Sequence, residues 1–219
     1  MKYTKNDIRS ALLVYAVTDR AWLKEGETLA EVLDSVLENG ATLVQVREKD
    51  ISDDEILAEA IALKEVCARH QVPLIINDSV EIALRCDADG VHVGQSDIKG
   101  RDIRALIGPD KILGMTARSV EEAQAAERAG ADYIGTGAVF GSTTKKNAKY
   151  MTPERLREIA ASVNIPVVAI GGICLDNIEK LAGSGVDGVA VVSGIFAELD
   201  PGEATRLMVE KAKRVVESK

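Results

Sequence analysis

Aromatic side chains make up only 3% of the 219 residues, which removes the stacking platforms that hold single-stranded nucleic acid. Histidine is scarcer still, with His70 and His92 alone. Neither an H-E-x-x-H metal site nor a Ser-His-Asp triad finds support in that pair. His92 stands inside an apolar run and reads as a satisfied core residue. The three cysteines, Cys67, Cys86 and Cys174, are scattered and show no C-x-x-C spacing, so neither a disulfide framework nor a zinc site is indicated and reduced thiols in a cytoplasmic protein are expected. Long apolar stretches are missing as well. The N-terminal run at 11–17 is too short to span a bilayer and meets Asp19 and Arg20 without a cleavage pattern, so no membrane association or targeting is expected. With a formal charge of -8, the chain does not look like a protein that tracks nucleic-acid phosphates.

One stretch lacks acid instead. Between Tyr133 and Pro153 there is no Asp or Glu, and Ser142, Thr143, Thr144, Lys145, Lys146, Asn147, Ala148 and Lys149 follow one another. A charged loop is often just solvated, but hydroxyls and ammonium groups between an apolar run and a helix start suit a phosphate.

Short runs rich in Val, Ile and Leu recur at 12–18, 42–47, 73–77, 90–94, 111–116, 133–140, 166–171 and 188–193, each reading as a buried parallel strand. Helical spacing fills most intervals, as in Leu29, Val32, Leu33, Val36 and Leu37, which share one face and stop at Gly40. Ser52 with Glu55 and Ser119 with Glu122 spell capping boxes, Asp176 with Glu179 resembles one, and Thr152 with Pro153 spells a cap and a first-turn proline. Segments 89–94, 132–137 and 187–194 echo one another, each with Asp where a helix hands over to a strand. Eight β then α alternations in a chain of 219 residues predict an α/β fold, a (β/α)8 TIM barrel forming a single domain over 1–219. The rival, an open doubly wound sheet, loses its G-x-G-x-x-G after the first strand.

In such a barrel the chemistry sits where strands end at their C-termini. The second run ends Gln45, Val46, Arg47, Glu48, Lys49, and a period of two sends Gln45, Arg47 and Lys49 to one side, with two cations aimed at the mouth. The third ends Asn77, Asp78, and the fourth is read through Gly94, Gln95 and Ser96 to Asp97, so neighbouring strands each bring a carboxylate. Two hard oxygen ligands suit Mg²⁺, although either Asp alone could equally cap a turn. Gly171 and Gly172 where the seventh run ends, and Val192 and Ser193 where the eighth ends, sit where this fold cradles phosphate.

These residues, Gln45-Val46-Arg47-Glu48-Lys49, Asn77-Asp78, Gly94-Gln95-Ser96-Asp97, Thr143-Thr144-Lys145-Lys146, Ile170-Gly171-Gly172-Ile173 and Val192-Ser193, together resemble the thiamine phosphate synthase family along nearly the whole chain. The resemblance implies a barrel transferase of thiamine biosynthesis. Its members join a pyrimidine methyl diphosphate to a thiazole phosphate, giving thiamine phosphate and pyrophosphate. It implies Arg47, Lys49 and Lys145 as catalytic cations. Gln45, Val46, Arg47, Glu48, Lys49, Asn77, Thr116 and Lys145 would hold the pyrimidine diphosphate, and Ser142, Thr143, Thr144, Gly172, Val192 and Ser193 the thiazole phosphate. Asp78 and Asp97 would hold the cofactor Mg²⁺. Thr116 stands where the family commonly has Ser, Gly141 and Ser142 where it often has Pro and Thr, and Ala138 where Pro is frequent.

The expected partners are therefore two small-molecule substrates, with no nucleic acid and no membrane, and self-association into a homo-oligomer is left open. Three rivals stay open at this stage: a related thiazole tautomerase, a lysine Schiff-base aldolase and a non-catalytic phosphate sensor.

Overall fold

Strands and helices alternate along the computed structural model, which describes residues 3–49, 51–98, 100–141 and 151–218. The strands are β1 Val14–Val17, β2 Leu43–Val46, β3 Leu74–Asn77, β4 Gly90–Val93, β5 Ile112–Thr116, β6 Tyr133–Gly137, β7 Val167–Ile170 and β8 Gly188–Val191. Each pairs in parallel with the next and β8 pairs with β1, closing a barrel of eight. The helices are α1 Lys5–Ala11, α2 Leu29–Glu38, α3 Asp53–His70, α4 Val80–Arg85, α5 Gln95–Ile98, α6 Ile103–Ile107, α7 Val120–Arg128, α8 Pro153–Ala161, α9 Ser193–Phe196 and α10 Pro201–Glu217.

Every expected run contains one strand, and the differences lie at the ends. The fourth strand stops at Val93 rather than continuing to Asp97. Asp97 Oδ2 accepts from Gly94 N at 3.0 Å and Asp97 N donates to Gly94 O at 3.1 Å, which curls 95–98 into a helical turn. Ser193 likewise opens α9 instead of ending β8. The Ser52 and Glu55 capping box is present on α3. At α7 Ser119 caps, but Glu122 Oε2 accepts from Arg118 N, so only half the box forms. Asp176 caps no helix: the chain makes only a 3-10 turn, Ile178–Leu181, because Asn177 spends its amide on Gly172 O and Cys174 N.

The period of two divides each strand between two cores. Outward residues such as Val44, Val46, Ile76, Val91 and Leu113 pack under the helices. Inward residues Tyr15, Leu43, Ile75, Ile112, Tyr133, Val168 and Ala190 fill the lower lumen. Helix α1, not anticipated from the sequence, supplies Ile8 to that cluster, its C-cap residue Leu12 joins it, and together they plug the bottom. Its start is fixed by Thr4 and Asp7, a full capping box.

The echoing aspartates share one task. Asp89, Asp132 and Asp187 precede β4, β6 and β8, and each carboxylate accepts a backbone N–H from the first or second residue of the preceding strand, from Leu74 at 2.9 Å, Leu113 at 2.8 Å and Val167 at 2.8 Å. Before β2 the same place is taken by Thr42, whose Oγ1 accepts from Val14 N at 3.0 Å. These side chains satisfy donors that a short strand leaves unpaired at the bottom edge.

Candidate active site

At the opposite end the lumen opens into a cavity of about 450 Å³. Strand β2 delivers its residues by parity: Gln45 and Arg47, only 4% and 8% exposed, line the cavity. Val46 turns outward to the helices. Glu48 also turns away, its carboxylate accepting from Thr18 Oγ1 at 2.7 Å and Arg20 N at 3.2 Å, with burial pushing its pKa up. Lys49, three residues past the end of β2, is exposed and lies outside the cavity lining.

Asn77 and Asp78 reach the cavity from the end of β3. Asp78 adopts a left-handed φ of 63°, its N–H donates to His92 O at 2.7 Å, and its Oδ2 accepts from Asn77 Nδ2 at 2.7 Å. Asp97 lines the same cavity from α5, Thr116 from the end of β5, and Arg118 two residues beyond it. The rim from β2 to β5 thus carries side-chain charge and amides.

From β6 to β8 the rim is mostly backbone and small side chains: Gly137, Ala138, Gly171, Gly172, Val192 and Ser193. Gly172 has φ +65°, and a Cβ there would sit 2.7 Å from Phe140 O, so no other residue fits without displacement. Asn177 Nδ2 holds this turn by donating to Gly172 O at 2.8 Å.

One cavity therefore gathers Gln45, Arg47, Asn77, Asp78, Asp97, Thr116, Gly172, Val192 and Ser193, and leaves Val46, Glu48 and Lys49 outside its lining. Ser142, Thr143, Thr144 and Lys145 lie outside the described residues. Among the described residues no group of three or more His, Cys, Asp or Glu side chains is placed to hold a metal ion; Asp78 and Asp97 both line the cavity.

Sequence reasoning missed Arg118, Tyr15 and the exposed edge of His92, all of which line the cavity. Parity could have found Arg118, which follows Thr116 as Arg47 follows Gln45. For His92 the signal was glycine at inward positions of the neighbouring strands: a Cβ on Gly114 would lie 2.5 Å from His92 Nδ1 and 2.3 Å from Tyr133 Oη.

Polar groups gathered at the C-terminal mouth of the lumen, above an apolar plug, place the protein among the (β/α)8-barrel enzymes. The family model described as thiamine monophosphate synthase matches residues 14–195, and the chain belongs to that family. It is 50% identical over 184 residues to a thiamine-phosphate synthase of Caldanaerobacter subterraneus, covering 84% of this chain and 86% of the relative. With the Clostridioides difficile protein of the same name it shares 48% over 196 residues, 90% of this chain and 93% of the other. Among solved structures, a thiamine phosphate pyrophosphorylase from Pyrococcus furiosus superimposes with a TM-score of 0.86 at 36% identity, covering 95% of this chain and 98% of that one.

Proposed function

We propose that this chain is a transferase that joins 4-amino-2-methyl-5-(diphosphooxymethyl)pyrimidine to a thiazole phosphate, giving thiamine phosphate and pyrophosphate. The observation that carries the reading is the convergence of Arg47, Asn77, Asp78, Asp97 and Gly172 on one cavity, in a chain half identical to a protein of that name. A volume of about 450 Å³ suits small-molecule ligands.

In the reaction the methylene C–O bond breaks and the electron pair leaves with pyrophosphate, while the thiazole nitrogen lone pair forms the new C–N bond. Arg47, largely buried in the cavity wall, faces the leaving group and stabilises the negative charge that grows on it. Arg118 adds positive charge at the rim, and Asn77 and Thr116 supply polar contacts. Lys49 and Lys145 complete the cation set by family resemblance. The glycine turn at Gly172, with Val192 and Ser193, receives the thiazole phosphate, joined by Ser142, Thr143 and Thr144. Both ring nitrogens of His92 are engaged in hydrogen bonds, and the reaction as written asks for no general base.

Asp78 and Asp97 form an all-oxygen donor pair on the cavity wall, a set that fits Mg²⁺ rather than a softer metal. Bound there, the ion would neutralise diphosphate charge. The enzyme acts in the cytoplasm, in keeping with its three free cysteines. Among the described residues no helix is long and apolar enough to cross a membrane.

A pyrophosphate-release assay tests the reading. Release is expected only with both substrates and Mg²⁺ present. No release, or a lysine adduct trapped by borohydride, would overturn it.

A further inference from the structure

Beneath the rim, side chains from five positions form one continuous hydrogen-bond chain across the lumen. Gln45 Nε2 donates to Tyr15 Oη at 2.6 Å, and the hydroxyls of Tyr15 and Tyr133 lie 2.9 Å apart. Tyr133 Oη lies 3.0 Å from His92 Nδ1, and His92 Nε2 lies 3.0 Å from Thr116 Oγ1. The bare backbone of Gly114 makes room for both rings, and the tyrosines meet edge to face at 5.9 Å. Both phenols are fully buried, and burial pushes their pKa values well above the ordinary tyrosine range, so each keeps its one proton.

One proton per hydroxyl gives such a chain a direction. A phenol oxygen can accept twice, but with Gln45 Nε2 donating, Tyr133 is the one acceptor among the described residues within reach of the Tyr15 proton, so Tyr15 donates to Tyr133. Tyr133, having accepted, donates to His92 Nδ1, which is then the bare nitrogen. The ring proton resides on Nε2 and is given to Thr116 Oγ1, leaving the Thr116 hydroxyl proton for the cavity. The opposite polarity, with the Gln45 oxygen toward Tyr15, would reverse every donor along the line.

We propose that Tyr15 and Tyr133 are positioning residues that lock His92 in the Nε2–H tautomer and thereby make Thr116 an obligate hydrogen-bond donor to the ligand. A fixed donor suits acceptor-only groups such as diphosphate oxygens. The choice of diphosphate as the acceptor rests on the proposed reaction, whereas the tautomer does not. A merely structural network would fill the same space without any fixed direction.

Nitrogen NMR of the full-length protein labelled with ¹⁵N-histidine reads the tautomer directly, since His70 is the one other signal and His70→Gln removes it. Near neutral pH the expected result is a protonated Nε2 and a bare Nδ1 on His92. Tyr133→Phe and Tyr15→Phe should each replace that single pattern with a tautomer mixture, and Tyr133→Phe should lower kcat/KM for the pyrimidine substrate roughly tenfold, the worth of about one hydrogen bond. A protonated Nδ1 with bare Nε2, an imidazolium, or an unchanged pattern in either variant would overturn the proposal. Should Tyr133→Phe fail to fold, the parent spectrum and Tyr15→Phe still decide it. An intact tautomer in a protein that releases no pyrophosphate would count against the reaction alone.

Discussion

The lower and upper halves of the barrel lumen are made by the same strands, two residues apart, and have opposite chemistry. On β2 the inward series climbs from Leu43 to Gln45 to Arg47, and on β5 from Ile112 through Gly114 and Thr116 to Arg118. The lower half is an apolar plug capped by α1, whereas the upper half is a cavity lined by polar groups. Within the lumen, apolar packing thus sits at one end of the axis and the chemistry at the other, so each end should respond to mutation in its own observable.

The largest separation is expected from Arg47→Gln. Loss of its charge should cut kcat roughly 10²- to 10³-fold, as removal of a preorganised donor to a developing anion does. The melting temperature should hardly move. A parallel collapse of thermal stability would show that Arg47 belongs to the structural half, and the comparison would break.

Next is Leu12→Ala, at the fully buried centre of the plug. Such a truncation costs about 2.7 to 5 kcal/mol, depending on how well the site collapses. Urea unfolding should register that loss while kcat of the folded enzyme stays near its parent value; a drop in kcat comparable to that of Arg47→Gln would show that the halves are coupled.

The smallest effect concerns acid stability at the bottom face. Asp87 is held at about 2 by its hydrogen bonds to Lys111 and Lys64. Because the folded pKa is depressed, its stabilisation is complete above the unfolded value near 3.9 and is lost as pH falls towards 2. Asp87→Asn should therefore flatten the stability profile between about pH 4 and 2, modestly and less so in high salt, since the carboxylate is 82% exposed. Identical acid profiles for parent and variant would remove this contribution, and turnover at neutral pH should be unaffected in either case.

The barrel was legible because parallel strands buried on both faces read as unbroken Val, Ile and Leu, and because several helices announce their starts, as Ser52 does for α3. Helix α1 was not legible: it has seven residues, of which only Ile8 is buried, too short a stretch for an amphipathic period to stand out. Gln45 and Arg47 could be read from strand parity, which carries one residue past the end of β2 but no longer holds at Lys49. The link between Tyr15, Tyr133 and His92 could not be read at all. Those residues stand on β1, β6 and β4, and only closure of the sheet brings them together.

The plug also sets a timetable for biosynthesis. Arg9 of α1 pairs with Asp187, 178 residues later, and β1 must find β8 before Ile8 and Leu12 are fully enclosed. A nascent chain therefore emerges with its first helix waiting for its last strand, and polypeptides halted on the ribosome before residue 187 would present those side chains to solvent and to chaperones.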